Sequence, residues 1–401
     1  MTALSLGLFA FCAFALAVQL GGIAVVLARD TLRARAARRP VAVPPVTILR
    51  PVRGIENHLE ETLESAFLLR QTEVEILFCV ADADDPVIGL CEAIMARHPR
   101  RRARILVGDD RIGINPKLNN LVKGWRAARH DFVVMADSNV LMPADYLDQL
   151  FAAWDGETGL VCSPPVGGRP AGFFAGLECA FLNSFQGRWQ LVADAAGLGF
   201  AQGKTMLWRK ADLDAAGGIE RLGEEVAEDA ASTKVVREAG RKVRLVRRPF
   251  VQPLGRRRFT EVWYRQLRWA RLRRVSFPLF FLPELLAGGV LPVAAAVALA
   301  VLGAVPPEAP ALFALVWYGA EIALAAAMGW PVSAAAVTAF VLRDALLVPL
   351  WFAAIAGSGY SWRGNDMDMR RMEMRASVAD EPGMLSRLRR RLAPKVRPRT
   401  G

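Results

Sequence analysis

The sequence predicts an α/β domain with a mostly parallel sheet, held between apolar helices at its N- and C-terminal ends. Three observations predict it. Strand-like and helix-like segments alternate from Val43 to Arg248. The strand-like segments are near-continuous apolar runs, as expected of a sheet buried on both faces. The hydrophobic residues, 53% of the chain, gather at the N-terminus and between Phe277 and Ala356, leaving an ordinary globular composition between.

The first element is an apolar run. Leu4 to Leu27 carries no charge and is long enough to cross a bilayer. No basic region precedes it and no small-residue cleavage site comes after it, so an uncleaved anchor is expected rather than a signal peptide. Arg29, Arg33, Arg35, Arg38 and Arg39 come next, and the positive-inside rule puts the α/β region beyond them in the cytoplasm.

Within the α/β region, "VTILRPV" (Val46 to Val52) reads as a strand and "HLEETLESAFLL" as a helix. "VEILFCVADADD" (Val74 to Asp85) is a second strand ending in carboxylates. "CEAIMARH" is helical, "ARILVGD" a third strand and "KLNNLVKGWRAAR" another helix. "FVVMADSN" then ends in Asp137-Ser138-Asn139. Open α/β sheets bind ligands beyond the carboxyl ends of their strands, so two acidic strand ends mark one candidate site. No GxGxxG or P-loop sequence accompanies them, which removes the main support for a dinucleotide or ATP site.

"GFFAGLECAFLNSFQGRWQLV" (Gly172 to Val192) is apolar but interrupted by Glu178, Asn183 and Arg188, a poor span. It reads either as a core helix or as a helix at a membrane surface. Phe277–Val305, Ala311–Trp330 and Val332–Ala356 are three further apolar runs. Three crossings would leave the basic C-terminus outside, against the charge rule, so one run is expected to be interfacial or re-entrant. Pro278, Pro283 and Gly288-Gly289 make the start of the first run irregular. Arg343-Asp344 is expected to pack inward.

The net charge of +12 is not a nucleic-acid signature, because the basic residues sit beside the apolar segments, where anionic headgroups would meet them. The five cysteines show no paired spacing and the chain has three histidines, so no zinc cluster is expected. No obligate protein partner is evident.

Three constellations carry chemistry. At the strand tip, the Asp137 carboxylate and Asn139 amide oxygen offer hard ligands for Mg²⁺ or Mn²⁺ beside phosphate oxygens, although by itself D-x-N at a strand end more often marks a turn or a helix N-cap. In "GEEVAEDAASTKVV", Glu224, Glu225, Glu228 and Asp229 stand near a helix start, where a carboxylate serves the helix dipole or acts as a general base. In "YRQLRWARLRR", Arg265 and Arg268 share a helix face with Trp269 beside them, suited to phosphate and to a sugar or lipid wall, or to a membrane belt.

In this order the set resembles the D, D, D, (Q/R)xxRW pattern of membrane-bound processive and lipid-directed glycosyltransferases, most of all the ceramide glucosyltransferase family. "ILRPVRGIEN", "CVADADDP", "GINPKLNNL", "MADSNV", "GKTMLWRK", "AGGI", "AEDAASTK", "RQLRWARLRR" and "SWRG" carry the finer resemblance over nearly the whole chain. It implies a GT-A (nucleotide-diphospho-sugar transferase) domain. The chain then divides into an N-terminal anchor (1–28), a basic linker (29–44), a cytoplasmic GT-A domain (45–274), C-terminal membrane segments (275–357) and a basic tail (358–401). For a bacterial-type member, the membrane is the inner one.

The resemblance further implies an inverting transfer of one hexose, glucose by preference, from a UDP-sugar to ceramide or a similar lipid, with a divalent cation. Asp84 or Asp85 would lie near the uridine, and Lys117, Asn119 and Glu56 would serve the nucleotide. Asp137 would bind metal and donor, with Asn139 standing where many such enzymes have a second Asp. Asp229 would be the base. Arg265, Arg268 and Trp269 would serve the diphosphate and acceptor. A hopanoid or diacylglycerol acceptor, or UDP-galactose, UDP-glucuronate or UDP-GlcNAc as donor, fits the same pattern. A processive synthase shares it too, but the few apolar runs offer little for a channel. An inactive scaffold would have no need of the acidic set.

Overall fold

The computed structural model describes residues 2–36, 41–357, 359–362 and 365–368. Its strands are β1 (Val46–Val52), β2 (Val74–Val80), β3 (Arg102–Val107), β4 (Phe132–Ala136), β5 (Thr158–Ser163), β6 (Val166–Ala171), β7 (Thr205–Arg209), β8 (Lys242–Leu245) and β9 (Val251–Arg256). Seven of them form one sheet in the order β3-β2-β1-β4-β7-β5-β8, and β6 pairs with β9 separately. β1 is parallel to β2 and β4, β2 to β3, and β5 to β8; β7 alone is reversed against β4 and β5. The mostly parallel α/β sheet is as expected. β1, β2 and β5 are buried along their whole length, which is why they read as unbroken apolar runs.

Around the sheet lie α2 (Leu59–Glu64), α3 (Val87–Arg97), α4 (Pro116–Ala127), α5 (Tyr146–Phe151), α8 (Lys210–Ala215) and α9 (Glu228–Glu238), preceded in the chain by α1 (Ala3–Ala36). α6 (Phe173–Ala180) continues through a π-helical stretch (Phe181–Gly187) into α7 (Arg188–Ala195). Alternate residues of β1 feed two cores: Leu49 packs with Leu77 and Met135, and Ile48 with Ile76 and Val134 on the opposite face.

From β1 the chain moves to β2 and β3 on one side, then returns to place β4 on the other. The reversal opens a switch point between β1 and β4, at whose carboxyl ends a ligand crevice forms. Asp137 directly follows β4 there. The second strand is shorter than expected, ending at Val80 rather than Asp85. Asp82 to Asp85 form a turn instead, since Asp side chains bond the backbone locally and favour turns.

α1 does not stop where its apolar stretch does. It runs on to Ala36 and carries Arg29 and Arg33 against the α/β domain. Arg29 Nε donates to Asp194 Oδ2 at 2.8 Å, and its other nitrogens donate to the carbonyls of Leu245, Val246 and Arg247. Arg33 pairs with the same carboxylate at 2.7 Å. Two arginines of the basic run are thus ion-paired inside the protein rather than placed toward lipid headgroups.

After α10 (Phe259–Ser276), the first C-terminal apolar run breaks up, as its prolines and glycines predict. It becomes α11 (Pro278–Phe281), a 3₁₀ turn (Leu282–Leu286) and α12 (Val290–Val301). α12 has 12 residues, and is thus about 18 Å long, well short of a bilayer core of about 30 Å. α13 (Ala309–Met328) and α14 (Ala334–Ala356) are, with α1, the three described helices long and apolar enough to cross a membrane. α14 nevertheless lies along the α/β domain. Near its middle, Arg343 Nη1 donates to Ala180 O and Ser184 Oγ; near its end, Ala353 O and Ile355 O accept from Arg271 and Arg274. Arg343 and Asp344 face inward, as expected.

The segment 172–192 resolves mainly as a core helix: Ala175, Glu178, Ser184 and Arg188 are buried, while Phe173 and Phe174 at its start are exposed. β10 (Gly359–Trp362) and β11 (Asn365–Asp368) pair antiparallel. Arg363 and Gly364 of "SWRG", and the basic tail from residue 369, lie outside the described residues.

Candidate active site

Asp137 sits on a strand tip that the fold holds from below. The buried Arg50 donates through Nη2 to Ser138 O (2.9 Å) and Thr62 O (3.0 Å), while Thr62 Oγ1 also donates to Ser138 O (2.6 Å). The turn bearing Asp137 and Asn139 is therefore fixed to β1 and α2.

Two ammonium groups meet the Asp137 carboxylate. Lys117 Nζ lies 2.6 Å from Oδ1 and Lys204 Nζ 2.9 Å from Oδ2. Lys117 comes from the first turn of α4, whose N-cap Asn115 accepts from the N–H groups of Lys117 and Leu118. Lys204 comes from the approach to β7, which the reversed pairing lays beside β4. Burial alone would raise the Asp137 pKa, but the two lysines outweigh it and hold the carboxyl well below the ordinary range.

The network continues to α9. Lys117 Nζ also binds Glu228 Oε1 and Gly203 O, each at 2.6 Å, and Asn115 Nδ2 donates to Glu228 Oε2 at 2.6 Å. A Cβ at Gly203 would lie 2.6 Å from Glu228 Oε1 and would push that carboxylate out of the network. The Gly203 N–H donates to Asp229 Oδ2 at 3.2 Å, and Ala230 N–H donates to Oδ1 at 2.8 Å. Gly203-Lys204 thus touches both Asp229 and Asp137.

The two aspartates differ in character. Asp229 faces no direct ammonium partner among the described residues. Burial, reinforced by the neighbouring Glu228 carboxylate and opposed by Lys117 and the two backbone donors, pushes its pKa up to about 6. A buried carboxylate with a raised pKa is suited to taking up a proton.

The remaining residues fall into separate places. Asp85 accepts from Gly54 N–H (2.9 and 3.0 Å) and Val87 N–H (2.9 Å), bracing the β1 and β2 exits, whereas Asp84 is exposed at the same sheet edge. Glu56 is exposed in the loop after β1. Asn119 is turned to the Ile112–Gly113 backbone: Oδ1 accepts both N–H groups at 3.1 Å and Nδ2 donates to Gly113 O.

Arg265, Arg268 and Trp269 form a second group on α10. Arg265 pairs with Glu178, which also accepts from Arg257 Nε at 3.1 Å. Trp269 packs on Ala175, Cys179, Leu182 and Leu254, and Arg268 follows Arg265 on the same helix face. Glu178 is fully buried. Its replacement by Ala removes the buried carboxylate that two guanidiniums share, and we expect a loss of about 2–4 kcal/mol, read as a lower thermal midpoint in detergent. A midpoint unchanged from the parent protein would contradict that role.

Two contributors had little warning in the sequence. Lys204 stands in "GKTMLWRK", but only the antiparallel β4–β7 pairing brings it to Asp137. Glu178 is visible beforehand only as a charge interrupting an apolar helix.

A sheet with its acidic strand tip at a switch point, facing a second carboxylate on a separate helix, has the form of a group-transfer site. The chain belongs to glycosyl transferase family 21, whose model matches residues 8–374. It is similar to ceramide glucosyltransferase 1 of Caenorhabditis elegans, 30% identical over 238 residues, covering 59% of this chain and 51% of that protein. The Komagataella phaffii ceramide glucosyltransferase is 33% identical over 220 residues, 46% of this chain and 42% of that one. The chain spans about half the length, or less, of these curated relatives. Among solved structures, it is similar to the mannosyltransferase PcManGT of Pyrobaculum calidifontis, described in complex with GDP-Man and Mn²⁺ (17% identity, TM-score 0.47, 86% of this chain and 98% of that one).

Among the described residues no group of three or more His, Cys, Asp or Glu side chains could hold a metal. The donor set at the strand tip still fits a cation. Lys204 Nζ lies 2.9 Å from both Asp137 Oδ2 and Asn139 Oδ1, so one positive centre already bridges the two oxygens. A hard cation that keeps several waters and takes phosphate oxygens needs few protein ligands.

Proposed function

We propose that the chain is an inverting GT-A glycosyltransferase that moves one hexose, glucose by preference, from a UDP-sugar to a hydroxyl of ceramide or a similar membrane lipid. The observation that carries this reading is the Gly203-Lys204 link between an ionised carboxylate, Asp137, and a protonatable one, Asp229. Family membership and the ceramide glucosyltransferase relatives support the lipid class.

In this reading the acceptor oxygen attacks the anomeric carbon. Its proton passes to the Asp229 carboxylate, and the bond from that carbon to the diphosphate oxygen breaks with its electron pair leaving on UDP. Attack opposite the leaving group inverts the centre. Lys117 and Lys204 hold Asp137 and offer positive charge beside the departing diphosphate. Mg²⁺ or Mn²⁺, held by Asp137 and Asn139 in place of the Lys204 ammonium, would neutralise charge there. Asp84 or Asp85 would border the uridine; Arg265, Arg268 and Trp269 would serve the acceptor side.

α1 and the α12–α13 hairpin would enter the bilayer. α14 would lie in its surface, against α6 and α10, so that the GT-A domain and the C-terminus share the cytoplasmic side. That arrangement would keep the GT-A domain and the basic C-terminus on one side, as the charge rule asks.

UDP titrated by calorimetry with and without Mg²⁺ tests the donor site. Wild-type affinity is expected to rise about tenfold, near 1.4 kcal/mol, with the cation, and Asp137→Ala to lose that increment. Equal increments in both proteins count against the reading.

A further inference from the structure

A cavity of about 300 Å³ lies between α6 and the corner joining α13 to α14, lined by Gly176, Ala180, Ala325, Trp330, Ala336 and Phe340 among others. Neither Asp137 nor Asp229 lines it. α6 and the π-helical stretch after it present two faces: Ala175, Glu178 and Leu182 turn to Trp269 and Arg265 of α10, while Phe173, Gly176 and Ala180 face the cavity. Cys179 belongs to both sides.

We propose that this cavity receives the hydrocarbon chain of the lipid acceptor. The proposal rests on the lipid-transfer reading and adds the place where the tail is held. Four features point to it. The lining is mostly apolar and aromatic, with Asn183, Ser184 and Ser333 as its polar members, and the volume sits at the lower end of the range of about 300–1,000 Å³ for ligand pockets.

The walls are rigid. One guanidinium, Arg343, reaches α6 through Ala180 O (3.2 Å) and the adjoining π-helical stretch through Ser184 Oγ (2.9 Å), α13 through Glu321 (2.6 Å), and Asp344 of its own helix (2.8 Å). That network pins the three helices around the space, which therefore exists before any ligand arrives.

Gly176 lies inside α6, where glycine is disfavoured relative to alanine. A Cβ built there meets nothing within 4 Å. Packing within the protein does not require the glycine, and its effect is to keep the space open.

Finally, one wall leads to an exposed aromatic row. Phe173 lines the cavity and is 37% exposed. Its ring centroid lies 5.6 Å from that of Phe174, which is 5.8 Å from Phe259, itself 6.3 Å from Trp263 on α10. Such a row suits the headgroup level of a bilayer, from which a lipid tail enters sideways.

The test uses the full chain in phosphatidylcholine nanodiscs with a ceramide whose N-acyl chain carries a diazirine. Photolabelling of the wild type is expected on peptides from α6 and from residues 330–340. Gly176→Leu and, from the opposite wall, Ala336→Phe should each suppress it. In transfer assays both variants should raise the KM for long-chain ceramide at least about tenfold, with the KM for UDP-glucose and turnover of a water-soluble short-chain ceramide unchanged. Labelling elsewhere, or labelling undiminished in both variants, overturns the proposal. Labelling as expected in a protein that glycosylates no lipid keeps the chain site and overturns the transfer reading instead.

Discussion

Asp229→Asn is expected to lower turnover about 10²–10⁴-fold, the range for losing a positioned general base, while UDP affinity and expression stay near wild type. The wild-type pH profile carries the same assignment. Asp229 has its pKa pushed up to about 6, so below that pH it holds a proton and cannot take another. The rate should therefore fall as pH drops through about 6, and the asparagine variant should lack that limb. Stability depends on pH in the opposite sense. A carboxyl whose folded pKa exceeds its unfolded value of about 3.9 favours the fold at low pH and loses that contribution as pH rises through about 6. Asp229→Asn should therefore stabilise the protein at pH 7.5, by at most about 3 kcal/mol, seen as a raised thermal midpoint. Near-normal turnover in this variant would remove Asp229 from the chemistry.

Arg343→Met is expected to have the largest effect on folding. The guanidinium lies between Glu321 and Asp344, and the three residues are at most 2% exposed. Removing it takes the ion-pair partner from two buried carboxylates, leaving Asp344 the Gly289 N–H and Tyr318 hydroxyl, and takes the donors from Ala180 O and Ser184 Oγ. Breaking a buried pair typically costs about 3–5 kcal/mol, comparable to the whole stability of many domains. The variant should be recovered poorly or show a much lower thermal midpoint. The double change Glu321→Gln with Arg343→Met should recover part of the loss, since one stranded charge is removed with its partner. Independent, additive effects of the two changes would show that the pair is not coupled.

Much of this arrangement is readable from residue order. The unbroken apolar strands belong to a sheet buried on both faces, and "FVVMADSN" does end with Asp137 at the switch point. The helix start at Glu228 and the helix carrying Arg265, Arg268 and Trp269 are equally legible. Local chemistry makes these features visible, since period, caps and charge are properties of neighbouring residues.

The hidden part depends on long-range closure. No local pattern places Lys204 on Asp137 or Glu178 between two α10-side arginines, because sheet register and helix docking decide both. β2 ends before its acidic residues because carboxylates turn the backbone at a point that apolar content does not reveal. The resemblance gives Asn119 as a nucleotide contact; that its side chain also fixes the Ile112–Gly113 loop is decided by loop closure and has no local signal. The last apolar run has the composition of a span, and only its contacts with α6 and α10 reveal that it lies along the domain.

Purified protein in nanodiscs with Mg²⁺ or Mn²⁺, offered a panel of UDP-sugars against ceramide, diacylglycerol and a hopanoid polyol, reveals donor and acceptor together when products are read by mass spectrometry. One β-linked hexose on a lipid is expected, with ceramide and UDP-glucose the preferred pair and no polymer. A polymer, or no transfer to any lipid from any of these donors, would contradict it.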